Sequence, residues 1–164
     1  MSGSGTATPP PRPPEDASPD ALLARAAARG RAAGRPYAGD VTPAEAWALL
    51  QAGAATLVDV RTHAEWTYVG RVQGVPLVEW RLLGAPQPRP DFLERLAEQA
   101  PPERPVMFLC RSGVRSQAAA QAATAAGWTG ALNVLEGFEG DQDALGRRGT
   151  LGGWRHAGLP WTQS

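Results

Sequence analysis

Lysine is missing from this chain of 164 residues: all sixteen basic side chains are arginine, set against sixteen acidic ones. The charges cancel, which leaves no electrostatic case for nucleic acid or an anionic membrane as a partner. Cysteine occurs once, at position 110, so no internal disulfide can form and the fold does not depend on oxidation. The two histidines, His63 and His156, are far apart and give no metal-ligand spacing with a lone cysteine. No apolar run approaches the roughly 18–20 residues needed to span a bilayer. Residues 1–19 lack the apolar segment of a signal peptide, so a cytoplasmic protein is expected.

What is present divides into four parts. Residues 1–19, rich in proline and almost free of large apolar side chains, cannot offset the entropy of ordering and are expected to be disordered. Residues 20–36 read as a helix from Asp20 to about Ala33, mostly alanine on its apolar face, with a short linker ended by Gly34 and Pro36. Residues 37–136 alternate short strands with helices. "TPAEAWALLQAG" opens with Thr42 as N-cap, Pro43 at the first helical position and Glu45 closing a capping box. "ATLVDVR", "VPLVEW", "PVMFLC" and "ALNVLEG" read as strands, with "YAGDV" at an edge. The expectation is an α/β domain, a mainly parallel sheet of about five strands with helices on both faces. Residues 137–164 form a glycine- and tryptophan-rich extension expected to pack on the domain.

Ligands of such sheets bind beyond the carboxyl ends of the strands. "CRSGVRS", residues 110–116, stands at one of those ends, between an apolar strand and an alanine-rich helix. A loop there can curl its N–H groups inward as an anion nest, to which the helix adds its positive end. Such a setting stabilises a thiolate at Cys110. Arg111 and Arg115 add positive charge, Ser112 and Ser116 can donate hydrogen bonds, and Gly113 allows a tight turn next to Val114. The alternative, a buried cysteine acting as a small hydrophobe, has no need of two neighbouring arginines.

With those residues in view, the chain resembles a single-domain rhodanese, a sulfurtransferase, from about Val41 to Leu135. "LVDVRTHAEW", 57–66, is similar to the family's strand ending in Asp-x-Arg with a Glu soon after. "VGRVQGVPLV", 69–78, resembles its Gly-His-Ile-x-Gly-Ala stretch, with Arg71 in place of His and Val75 in place of Ala. The third motif is "CRSGVRS" itself. The resemblance implies that Cys110 carries sulfur as a persulfide, that residues 111–116 cradle the anion, and that Asp59, Arg61 and Glu65 hold the scaffold. It implies a sulfur donor such as thiosulfate, a thiol, cyanide or protein acceptor, and no metal or organic cofactor. The tail is similar to the extension of a subset of bacterial single-domain rhodaneses.

Two other readings stay open. A phosphatase of the Cys-x5-Arg type needs arginine six positions after cysteine; here it is five after, and position 116 is serine. A sulfur-carrier or interaction module would hold the persulfide with little turnover on free thiosulfate. Among other residues, His63 is expected to cap a turn, and the six dispersed tryptophans to serve packing. "DQDALG", 141–146, resembles a calcium loop but places Leu145 where an oxygen ligand is needed. The extension is expected either to cover the sheet with its aromatics or to act as a flap near Cys110.

Overall fold

A computed structural model describes residues 18–163. The expected disorder of residues 1–19 therefore falls largely outside the described residues; its last two, Ser18 and Pro19, begin a helix. This helix, α1, spans Pro19–Ala32, with the Ser18 hydroxyl accepting from the Ala21 N–H at 3.2 Å. The start is two-fold specified, since proline loses nothing at the first helical position.

The order continues as β1 (Gly39–Val41), α2 (Pro43–Gln51), β2 (Thr56–Asp59), α3 (His63–Tyr68), α4 (Phe92–Gln99), β3 (Val106–Leu109), α5 (Val114–Ala125) and β4 (Ala131–Val134). The four strands form one parallel sheet in the order β1-β4-β3-β2. The capping box expected at α2 is present: Thr42 Oγ1 accepts from Glu45 N and Glu45 Oε1 from Thr42 N. A second box, between Thr62 and Glu65, opens α3. Thr62 is thus the cap there, where His63 was expected, because its hydroxyl can accept from the third amide of the turn.

About five strands were expected and the sheet holds four. The segment "VPLVEW" touches the outer edge of β2 through a single parallel bridge, Asp59 to Leu77. Asp59 N donates to Pro76 O and Val78 N to Asp59 O; beyond them the regular ladder ends, and Trp80 N donates to Val60 O at 3.1 Å, one residue out of register. Backward extension would need an N–H on Pro76, which has none. Forward extension would need the Arg61 N–H, and that donates instead to the Asp59 carboxylate at 3.0 Å.

Period-2 alternation divides the sheet residues between two apolar layers. Leu57, Met107, Leu109, Leu132 and Val134 face Leu22 and Ala26 of α1 and Ala46 and Leu49 of α2. Phe138, Trp154 and Leu159 of the C-terminal extension join that same layer. Val58, Val106, Phe108 and Ala131 face the other way, against Phe92 and Leu96 of α4 and Ala119, Ala120 and Ala123 of α5. Cys110 continues the alternation of β3 and lies in this second layer. Helix α1 approaches β1 backbone to backbone: a Cβ on Gly39 would collide with the Ala26 carbonyl. Arg29 locks the contact, pairing with Glu45 and donating to Asp40 O at 3.1 Å. No helix among the described residues is long and apolar enough to cross a membrane.

Candidate functional site

Strands β2 and β3 run parallel, so the segments leaving them open at the same end of the sheet. A cleft of roughly 230 Å³ lies there, lined by Thr62, Glu65, Arg81, Leu82, Leu83, Gly84, Arg111 and Arg115. A larger hollow of about 590 Å³ beneath the proline-rich loop 82–91 shares only Leu82 with it. The smaller cleft is the candidate site, because it adjoins the loop that follows β3.

Cys110 leaves β3 pointing toward α5 and is 1% exposed. Its Sγ accepts from the Gly113 N–H at 3.1 Å and lies 3.2 Å from Ser116 Oγ. Gly113 serves as N-cap of α5 with φ of +105°, a conformation that a side chain would strain. That turn aims the amide at sulfur, and α5 begins at the next residue, Val114. Ser112 is half-buried in the loop, and Val114 projects into solvent at 72% exposure. Ser116, buried in the first turn of α5, donates to Asn133 Oδ1 at 2.6 Å.

The two arginines of the loop part company. Arg111 is exposed at the mouth of the cleft. Arg115 turns to α3 and meets Glu65 at two points, 2.6 and 2.9 Å. Burial alone would push the Glu65 carboxyl up, but the Arg115 hydrogen bonds and charge, with help from Thr62, hold it below the usual carboxylate range. Burial likewise disfavours the Arg115 cation, and Glu65 more than offsets this; the sulfur of Cys110 and the carboxylate of Asp59 contribute to the same field.

Asp59 and Arg61 form a buried ion pair, Nη2 to Oδ2 at 2.7 Å, with the Arg61 side chain 0% exposed. Arg61 Nη2 also donates to Gly70 O at 2.7 Å, and its Nη1 has no hydrogen-bond partner. The guanidinium lies over the Phe138 ring, Cζ 4.4 Å from the centroid. The extension therefore reaches the site from behind. Phe138 N donates to Cys110 O, and Glu139 N and Gly140 N to Arg111 O, at 2.8, 2.9 and 3.2 Å.

Sequence reasoning singled out residues 110–116 with Asp59, Arg61 and Glu65, and the fold gathers all of them at this end of the sheet. It missed Arg81, which follows a segment read only as a strand. It also missed Asn133 and Asp40, the register partners on β4 and β1. Asn133 had a signal: an amide in the middle of the apolar run "ALNVL" requires a buried partner. In the "DQDALG" segment the Asp143 carboxylate is taken up by the chain itself, accepting from Leu145 N, Arg147 N and Thr150 Oγ1.

Comparison with known proteins supports the same family. The crystal structure of Rv0390 from M. tuberculosis is 50% identical, covering 78% of this chain and 99% of that one, with a TM-score of 0.71. An uncharacterized protein of Rickettsia conorii is 34% identical over 112 residues, 65% of this chain and 82% of its own length. Thiosulfate sulfurtransferase GlpE of Actinobacillus succinogenes is 29% identical over 121 residues, 74% of this chain and 87% of its own. The profile of the rhodanese-like domain matches residues 42–144, and with the parallel sheet and the loop after β3 it places this chain in the rhodanese-like domain family.

Proposed function

We propose that the protein is a sulfurtransferase that carries sulfane sulfur on Cys110, from thiosulfate or a related donor to cyanide or a thiol. The observation that carries this reading is the aim of the Gly113 N–H at Sγ, 3.1 Å away, where α5 begins. An amide and a helix N-terminus directed at sulfur favour an anion there.

In the first step the Cys110 thiolate attacks the outer sulfur of thiosulfate. A sulfur–sulfur bond forms to Sγ, the donor's own sulfur–sulfur bond breaks, and sulfite leaves with the electron pair. Cyanide or a thiolate then attacks the outer sulfur of the persulfide, giving thiocyanate or a new persulfide and returning the Cys110 thiolate. Two half-reactions through a covalent intermediate predict ping-pong kinetics. Arg111 and Arg81 at the mouth attract the anionic donor, while Arg115, tied to Glu65, shapes the loop. A sulfur only 1% exposed suits a small donor over a bulky one.

The test is mass spectrometry of the intact protein after thiosulfate treatment. The expected result is a gain of about 32 Da, one sulfur, removed by cyanide or dithiothreitol. Survival of that adduct in Cys110→Ser, or its absence from the wild type, overturns the reading. A stable adduct with negligible thiocyanate production would instead assign the carrier role.

A further inference from the structure

Cys110 is connected to the interior of the sheet. From Sγ a chain of hydrogen bonds passes to Ser116 Oγ at 3.2 Å, from Ser116 Oγ to Asn133 Oδ1 at 2.6 Å, and from Asn133 Nδ2 to Asp40 Oδ1 at 3.3 Å. Asp40 also receives Tyr37 Oη at 2.9 Å and Arg35 Nε at 3.4 Å. Ser116, Asn133, Asp40 and Tyr37 are all buried, and none of them lines the cleft. The sheet register itself creates the link, since Asp40 of β1 and Asn133 of β4 are paired residues.

The chain has a direction. A carboxylate beside an arginine only accepts, so Asn133 must turn its amide nitrogen to Asp40 and its oxygen to Ser116. Ser116 has one hydrogen, and that oxygen takes it. The lone pair of Ser116 therefore faces Sγ, which is the arrangement that a thiol S–H can satisfy. A bare thiolate in the same place meets a lone pair, unless Ser116 swings its hydrogen back to sulfur. That movement leaves Asn133 Oδ1 as a buried acceptor with no donor, which is costly. A Sγ already bonded to a second sulfur carries no charge and makes no such demand.

We propose that Asp40 and Asn133 are positioning residues that act on Cys110 through Ser116, fixing the direction of its hydroxyl so that the free thiolate is disfavoured relative to the thiol and the sulfur-loaded form. The proposal rests on Cys110 being the nucleophile. Other groups act on the same sulfur and set the background: the Gly113 N–H, Arg111 in the loop, Arg115 of α5 with Glu65 of α3, and Asp59 and Arg61 from the end of β2. Asp40 is the acidic group that reaches it through a polarised chain.

The experiment measures alkylation of the resting full-length protein by iodoacetamide as a function of pH; the single cysteine leaves no other thiol to react. In Asp40→Asn, the amide at 133 can turn over and release the Ser116 hydrogen to sulfur. Alkylation below neutral pH should then be about three- to tenfold faster, the range that one redirected hydrogen bond supplies. On a Ser116→Ala background the same change should alter the rate by less than about twofold, as a double-mutant cycle through Ser116 requires. Equal acceleration in both backgrounds would show that the Asp40 charge acts through space, and no acceleration in the single variant would show that the chain has no influence; either result overturns the proposal. A second readout does not depend on Asp40→Asn folding. The infrared S–H band of the wild type should sit at the hydrogen-bonded position and shift to that of a free thiol in Ser116→Ala, and an unshifted band refutes the arrangement. Neither measurement uses a sulfur donor, so a missing persulfide adduct would count against the proposed function alone.

Discussion

Arg115 and Glu65, fifty positions apart in sequence, are joined by two parallel hydrogen bonds, Nη1 to Oε1 at 2.6 Å and Nη2 to Oε2 at 2.9 Å. The pair ties the first turn of α5 to α3 across the mouth of the cleft, with each side chain about one-fifth exposed. It ties down the loop that carries Cys110 and neutralises one positive charge that would otherwise face the cleft. Replacing Glu65 by Gln should lower stability by about 1.5–3 kcal/mol, the range for hydrogen bonds to charged groups, as read from urea midpoints. Arg115→Lys should lose a comparable part of that stability, because an ammonium cannot span both oxygens.

The same pair gives the protein an acid-sensitive margin. Glu65, and Glu45 with its partner Arg29, have carboxyls held below the ordinary glutamate value of 4.5 in the folded chain. A group depressed on folding adds stability that is complete above its unfolded value and is lost as pH falls through the folded one. Urea midpoints should therefore show no contribution from these groups to any change between neutrality and pH 5, then a fall in more acidic buffer. Glu65→Gln should flatten that fall; an equally steep decline in the variant would sink the assignment.

Arg81 was found by the fold rather than by the motif, and its exposed side chain has a simple expected role. Arg81→Ala should raise KM for thiosulfate by about two- to fivefold while kcat stays near the wild-type value, the pattern of a group that attracts the donor before chemistry. The difference should shrink as ionic strength rises and the charge is screened. A change in kcat alone would contradict this.

Gly113 is a sharper test of the loop. Its φ of +105° belongs to a region that a Cβ strains, at a cost on the order of 1–3 kcal/mol. In Gly113→Ala the amide should swing away from Sγ. Persulfide formation should then slow by at least about tenfold, in line with the loss of one aimed donor. Retained rates would show that the donor is dispensable.

The extension divides structural from kinetic effects. Trp154 is fully buried, packed at 6.0 Å edge-to-face on Trp47, and its indole N–H donates to Pro160 O at 2.9 Å. Trp154→Ala should cost about 3–5 kcal/mol in thermal or urea unfolding, as large core truncations do. Kinetics of the folded fraction should be little altered, since Trp154 lies in the layer opposite Cys110. The flap reading of residues 149–164 predicts the reverse, a change in rate or donor preference with modest loss of stability.

Local signals in the chain reached most of the architecture. Capping at Thr42, the apolar run before Cys110 and the alanines after it each set an element by nearest-neighbour physics, and β1, β3 and β4 followed. What failed was non-local. "VPLVEW" has the composition of a strand, yet Pro76 and the Asp59 side chain break its ladder, and both depend on which edge it meets. The site divides along the same line. Residues 110–116 were legible because one segment holds them, whereas the Arg115–Glu65 pair needed α3 and α5 to meet. The contact between Asp40 and Asn133 needed the order β1-β4, which composition does not encode.

The three hydrogen bonds donated by the amides of residues 138–140 to the carbonyls of Cys110 and Arg111 involve no side chain on either partner. They act as a splint on the loop after β3, and they constrain this stretch of the extension: Gly137 and Gly140 have no room for a Cβ against Arg111 and Gly152, and Phe138 lies under Arg61. Outward-facing positions there can change without altering any group that touches sulfur, so long as the chain still passes behind the loop. The loop is thus free to keep one geometry while the surface around it varies.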